Sequence, residues 1–595
     1  MSGERRKKIP ACDYCKAHRV LCYPQADGTA CPRCKVKNIQ CTTTPVTRRK
    51  RRTKEELLKV ASALSGNVPP QPEPSTASVA SPVNTGAHTL VVHPRNSAFS
   101  EPEPVPPSLE LPVEIVQDLF QTFCRSPLPT HPTIQVSKLG TIFRLYSWNI
   151  RAIPSPDRAL IHCIIAYASL LSTNPFIIGP ADLETDQFHI LTVGLPLKTP
   201  TVPDLRPFGF RRESIFRQLW AEALWVANLD GVATRTSKDN AAACWVLSIL
   251  SHMVLGQGTS AFRSAFIYHI RTLVEATPLY EATEILRYHG YMLVEVLDAL
   301  ASGRNIPYTP SDEDLLVPFT PKPLEQLIDG SLASLKLKPY RFSPSLIHQF
   351  ASHAIRLART ASDNLTGVAA RRRPLNEGFL IQHLATLDVF HSYLIAELGR
   401  INMAIESMAS LQPEPKTVSY LRHCTHGFVT SWAALIFPVF QVIRDRSIDS
   451  LNSFSNRSSL IGTADPDSYL ADELYNERLQ MHYRHVRKLT TRTALELKDA
   501  LRNVPIFQKL VEYGEFHLVK WAMFLVDEFD SVDITREQRL DALVCFRDAL
   551  QLCGFSYADR TGIVDRLNEH IASYSLDDTL LASSRHPSFG VDSYW

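Results

Sequence analysis

From about residue 110 onward, apolar side chains return every three or four positions. Ile215, Leu219 with Trp220, and Leu224 precede Asp230-Gly231; Leu380, Leu384 and Leu387 lie within 379–400; Ile506, Leu510, Tyr513, His517 and Trp521 form another series. That period places each set on one face of a helix. Strand-like alternation over more than four residues is rare. Pro- and Gly-bearing stretches near 126–132, 196–207, 303–320, 374–378 and 411–416 interrupt the pattern. The sequence therefore predicts roughly a dozen helical segments in one large all-helical body. Trp220, Trp225, Trp245 and Trp521 are expected in its core, with His162, His252, His269 and His383 in the core or at its boundary. Cys124, Cys163, Cys244, Cys424, Cys545 and Cys553 read as buried apolar fillers.

The first 108 residues follow a different pattern. Residues 61–108 carry 10 prolines, 8 serines and one aromatic residue, Phe99, a composition that does not repay the entropy of ordering. A disordered linker is expected over 67–108. Before it, Leu57, Val60 and Leu64 lie on a short helical stretch, 55–66, which is less than the three or four heptads of a sustained coiled coil. It reads as a short helix or a small dimerisation element. The remaining boundaries are 1–54 for a basic, cysteine-rich module, 109–450 and 451–575 for the helical body and its extension, and 576–595 for an acidic and aromatic tail. No uninterrupted apolar run reaches the roughly 18 residues of a membrane span, and a membrane partner is not expected. At 595 residues the chain has room for about three to five domain-sized units.

Charge adds an asymmetry that the total conceals. The whole chain is only +3, yet residues 1–60 hold 16 Lys and Arg against 5 Asp and Glu, and the remainder is net negative. A positive field confined to one end points to nucleic acid. The run Arg48-Arg49-Lys50-Arg51-Arg52-Thr53-Lys54, with a second patch at Arg5-Arg6-Lys7-Lys8, fits phosphate contact and a nuclear localisation signal. The start of the chain lacks the apolar stretch of a secretory signal, so the nucleus or cytoplasm is expected, with cysteines reduced.

Half of the 12 cysteines fall in this segment with the spacing C-x2-C-x6-C-x8-C-x2-C-x6-C: Cys12, Cys15, Cys22, then Cys31, Cys34, Cys41. Two residues between cysteines let both thiolates reach one metal. Each half supplies three sulfurs, whereas a closed zinc site takes four. Two tetrahedral Zn2+ ions per chain are completed only if two thiolates are shared, and the pseudo-symmetry selects Cys12 and Cys31. A module of about 30 residues buries too little to fold alone, so metal supplies its folding free energy. A three-disulfide framework and a zinc module that binds only protein are the alternatives. Between the ligands stand Lys16, His18 and Arg19, then Arg33, Lys35 and Lys37. If a short helix follows Cys12, Lys16 and Arg19 share a face that suits the major groove, where Arg or Lys pairs with guanine. Pro32 suits the first turn of a second helix, and Pro24 with Asp27-Gly28 the joining loop. His18 reads as a DNA contact, a surface residue or, with six sulfurs already present, least of all a ligand.

The stretch Ala11-Cys12-Asp13-Tyr14-Cys15-Lys16-Ala17-His18-Arg19-Val20-Leu21-Cys22, followed by Cys31-Pro32-Arg33-Cys34, resembles the DNA-binding domain of the fungal binuclear zinc cluster transcription factors. The resemblance implies two short helices, with Cys12 and Cys31 bridging two zincs and Arg19, beside His18, reading a CGG-type triplet. Lys16 matches the family's basic residue after the second cysteine. Leu21 stands where that family usually has a basic residue, which removes one positive charge from the contact surface. Ala301-Ser302-Gly303-Arg304-Asn305-Ile306-Pro307-Tyr308, with Ser311-Asp312-Glu313-Asp314 and Val317-Pro318, is similar to the regulatory middle domain of the same family, with Asn305 in place of a proline. That likeness implies a domain that restrains or relays activity, in some members in response to a metabolite.

No HExxH, GxxxxGK[ST], GxSxG or GxGxxG pattern occurs in the chain, and Gly256-Gln257-Gly258 reads as a helix-terminating turn. No catalytic residue and no organic cofactor are expected. The fold class expected is mostly all-α: a small two-helix zinc cluster module, a disordered linker and a large helical regulatory domain. The function expected is a zinc-dependent, sequence-specific regulator of RNA polymerase II transcription in a fungal nucleus. Its partners are double-stranded DNA, a second copy of the chain, coactivators or corepressors drawn to the tail around Asp577-Asp578, and a small-molecule effector. A zinc-dependent protein scaffold and an enzyme with a DNA-binding head are the other readings.

Overall fold

The computed structural model describes residues 12–17, 22–23, 29–43, 109–180, 202–255, 261–276, 281–334, 345–409, 416–458, 466–504, 515–527, 533–556 and 561–584. The chain divides into two compact units, Met1–Phe99 and Ser100–Trp595. Among the described residues there is no β-strand, and the all-helical reading holds. The first unit contains α1 (Asp13–Ala17) and α2 (Pro32–Val36). The loop at Pro24 and Asp27-Gly28, the 55–66 helix and the 67–108 linker lie outside the described residues.

The second unit opens with α3 (Val113–Arg125), α4 (Val136–Leu145), α5 (Asp157–Ser169), α6 (Pro175–Ile178), α7 (Arg206–Leu229), α8 (Lys238–Leu255) and α9 (Ala261–Ala276). It continues with α10 (Ala282–Ala301), α11 (Pro310–Leu316), α12 (Leu324–Ser334), α13 (Ser345–Ala361), α14 (Val368–Arg371) and α15 (Glu377–Ala409). It closes with α16 (Lys416–Ser458), α17 (Pro466–Arg502), α18 (Glu515–Asp527), α19 (Arg536–Cys553) and α20 (Ile563–Ser584). α5 is buried on every side from Ala159 to Ser169, as a helix apolar all round must be, and α3, α7 and α8 pack around it. α7 stops where expected: Gly231, at φ +63°, takes the left-handed turn that a residue with Cβ resists. Leu380, Leu384 and Leu387 are buried on one stripe of α15.

α16 and α17 form a long antiparallel hairpin. Its register is marked by Trp432 Nε1 donating to Thr493 Oγ1 at 2.9 Å, Gln480 Nε2 donating to Ser447 Oγ at 2.6 Å, and a Ser450–Asn476 contact near the tip. The stretch Thr417–Asn452 of α16 is long and apolar enough to cross a membrane, but 78% of its most apolar window is buried inside the unit. Its apolar length is used as core. There Phe437 and Phe440 meet Trp521 and Phe524 of α18 at centroid distances of 4.8 and 5.0 Å.

Several expectations change in detail. Cys124 is exposed while the other five single cysteines are buried: the apolar stripe of α3 is Val116, Leu119, Phe120 and Phe123, and position 124 turns away from it. Trp245 and Trp521 are buried, but Trp220 and Trp225 are only half-buried; Trp432, fully buried, is the deeper one. His162, His269 and His383 are buried and His252 half-buried. The expected 303–320 turn contains α11, started by a Thr309–Asp312 capping box. Arginines from three helices hold this segment: Arg371 donates to the Gly303 carbonyl, Arg271 to Asp312 and the Pro307 carbonyl, and Arg359 to Glu313 and the Tyr308 carbonyl. α16 runs through position 450 and α20 through 575. Ile506, Leu510, Tyr513, the 411–415 turn, Gly256-Gln257-Gly258 and residues 585–595 lie outside the described residues.

Candidate metal centre

Each half of the cysteine module places one cysteine immediately before a short helix and one inside it. Cys12 precedes α1 and Cys15 lies within it; Cys31 is the N-cap of α2 and Cys34 lies within it. Pro32 occupies the first turn of α2, where its missing N–H costs no hydrogen bond. Cys22 and Cys41 return the chain to the start of their own halves: the Cys12 N–H points at Cys22 Sγ (3.5 Å) and the Cys31 N–H at Cys41 Sγ (3.4 Å). Asp13 N–H donates to the Thr42 carbonyl at 2.8 Å and closes the module.

The six sulfurs form one cluster. Cys12 Sγ lies 3.9 Å from Cys31, 3.7 Å from Cys34 and 3.7 Å from Cys22, and Cys15 lies 3.9 Å from Cys31. Within this cluster are two quartets, Cys12, Cys15, Cys22, Cys31 and Cys12, Cys31, Cys34, Cys41, each with all its sulfurs within 4.8 Å of one another. A tetrahedral ZnS4 site with bonds of about 2.3 Å has sulfur–sulfur edges of about 3.8 Å, so the separations fit metal ligation. They exceed the roughly 2.05 Å of a disulfide, and all six are free thiols. The disulfide alternative fails.

The two shared cysteines are also electrostatically distinct. A backbone N–H from Cys15 lowers the Cys12 thiol to about 6, and one from Cys34 lowers Cys31. Both stand where a helix start directs N–H groups at the sulfur, which favours the thiolate. Burial pushes Cys15 up to about 12 and raises Cys34 as well. The positions that belong to both quartets are thus the ones the helix termini prepare as anions, and a metal held there would deprotonate the rest. The cluster can hold metal ions, with zinc the species its all-sulfur donor set suits.

Around the sulfurs, Lys16, Arg33, Lys35 and Lys37 are exposed, whereas Cys12, Cys15, Cys31 and Cys34 are buried. Lys16 pairs with Asp13 at 3.7 Å on its own helix, a local neutralisation that the residue list did not reveal. Tyr14 and Ala30 pack on the cluster. His18, Arg19, Leu21 and Arg48, Arg49, Lys50, Arg51 and Arg52 lie outside the described residues. No family model, no curated protein and no solved structure matches the chain.

Proposed function

We propose that the chain is a zinc-dependent, sequence-specific DNA-binding regulator of RNA polymerase II transcription, acting in a fungal nucleus by binding rather than by a chemical step. The observation that carries this reading is the pair of thiol quartets sharing Cys12 and Cys31, each of these two at the start of a short helix, with Lys16, Arg33, Lys35 and Lys37 exposed around the sulfurs. Two Zn2+ ions per chain, held by Cys12, Cys15, Cys22 and Cys31 and by Cys12, Cys31, Cys34 and Cys41, fold the module and fix the two helices. Arg19, with His18 beside it, reads base edges of a CGG-like triplet. Lys16, Arg33, Lys35, Lys37 and the Arg48–Arg52 run contact phosphates, and that run also serves as the nuclear localisation signal. The helical body governs when the head is productive, through a coactivator or corepressor, a small-molecule effector or a second copy.

The test is duplex binding by the full chain with and without zinc. Arg19→Ala costs about 1–3 kcal/mol of discrimination at one GC step. Lys50→Ala weakens binding to every sequence about equally and reduces the salt slope by about 0.9. Absence of zinc-dependent binding to CGG-containing duplexes refutes the reading and leaves a zinc-dependent protein scaffold.

A further inference from the structure

One face of α17 is open to solvent. Leu479, Val486 and Leu489 are buried, and the opposite side carries Glu473, Leu474, Glu477, Met481, Arg484 and Lys488, all exposed. With 3.6 residues per turn these six fall within an arc of about 100°. Met481 is 65% and Leu474 54% exposed. α15 runs along one edge of the face, tied to it by Arg478 with Glu377 at 2.8 Å and His485 with Asp388 at 3.0 Å. Between those two acids α15 exposes Ile381.

The charges on this face are segregated. Glu473 and Glu477 lie one turn apart in its first half, and Arg484 and Lys488 one turn apart in its second. Among the described residues none of these four takes part in an ion pair, whereas Arg478, His485 and Arg492 of the same helix do. Like charges at i and i+4 oppose the helix that carries them, so an isolated α17 gains nothing from this order. An antiparallel copy reverses the sign. The pairs Glu473/Lys488 and Glu477/Arg484 share one midpoint, between Gln480 and Met481. With a two-fold axis through that point every acid faces a base of the other copy, and the two Met481 side chains meet at the axis. Leu474 then lies against the aliphatic stem of Lys488.

We propose that this face of α17 is a self-association surface, on which a second copy of the chain packs antiparallel about a two-fold axis at Gln480-Met481. The facing stretch, 473–488, is about 24 Å long at 1.5 Å per residue. One helix face on each side buries less than a standard interface, so the dimer is weak, concentration-dependent and sensitive to salt. The surface belongs to the helical unit and uses none of the cysteines. What the pairing serves, two DNA-binding modules on one duplex, rests on the function proposed above.

The full-length zinc-loaded chain, free of DNA, is followed by sedimentation velocity from about 1 to 100 μM. The expected result is a shift from 66.8 kDa toward twice that mass, reduced when NaCl is raised from about 50 to 500 mM. Glu473→Lys with Glu477→Arg makes the face wholly basic, and Arg484→Glu with Lys488→Glu makes it wholly acidic. Each double variant weakens association at least about tenfold, because like charges then face each other, and a 1:1 mixture of the two restores it as a heterodimer. Circular dichroism checks that both variants keep the helical content of the native chain. A native chain that stays monomeric to about 100 μM, association that neither double variant weakens, a mixture that stays monomeric, or a native dimer indifferent to salt overturns the proposal. With no DNA present, none of these outcomes bears on the DNA-binding reading.

Discussion

Replacing a shared cysteine should remove more metal than replacing an unshared one, because Cys12 belongs to both sulfur quartets and Cys22 to one. Cys12 Sγ lies 3.7 Å from both Cys22 and Cys34 and 3.9 Å from Cys31, so one side chain would close both tetrahedra of a two-metal cluster. A serine hydroxyl at this position stays protonated at neutral pH and supplies no thiolate. In Cys12→Ser each quartet falls to three sulfurs; in Cys22→Ser the quartet Cys12, Cys31, Cys34 and Cys41 remains whole. Structural zinc contributes apparent binding free energies of about 10–16 kcal/mol in small finger modules, far more than a module of about 30 residues obtains from burial. Loss of both sites therefore means loss of the fold. Native mass spectrometry and Co2+ absorption of the full chain should count two metals in the wild type, one in Cys22→Ser and none in Cys12→Ser. Equal metal loss from the two variants would refute the sharing.

Other outcomes follow from the helical body. Burial lowers His383 and His517 to about 4 and His289 to about 3. Between those values and about 6.5 the unfolded chain binds more protons, so stability is full above pH 6.5 and falls with acid by about 1.4 kcal/mol per pH unit for each histidine. His383→Leu should reduce that slope by one proton in urea titrations at pH 4.5–6.5, and an unchanged slope would exclude the contribution. Thr493→Val leaves the buried Trp432 N–H without its 2.9 Å acceptor and should cost about 1–3 kcal/mol, read from the urea midpoint at constant m. Gly554 has ordinary helical φ but faces α7 closely: a Cβ there would stand 2.8 Å from the Arg206 Cα. Gly554→Ala should destabilise by about 1–3 kcal/mol through overpacking; a neutral result would show that α7 and α19 part easily.

How much of this could be seen in the residue order differs between the two units. In the cysteine module the spacing foresaw that Cys12 and Cys31 are common to both sulfur quartets, since six sulfurs make two sets of four only by sharing, and Pro32 foresaw the start of α2. Lys16 illustrates the limit: its charge was visible, but its pairing with Asp13 depended on the helix forming. In the body, the stripe Leu380, Leu384, Leu387 announced α15 because core-facing positions recur once per turn. The same reasoning misplaced Cys124, whose composition is apolar but whose angular position on α3 faces water.

The sequence by itself determined where helices form, where metal-ligating sulfur is concentrated and where positive charge lies, because these follow from local periodicity, ligand spacing and a count of side chains. Only the tertiary structure decided which distant groups meet: Trp432 with Thr493 across a hairpin, three helices' arginines on the 303–313 segment, and Arg212 enclosed between Ser169 and Phe555. Such contacts join residues up to several hundred positions apart. They depend on how helix faces rotate and pack, which the local pattern along the chain does not encode.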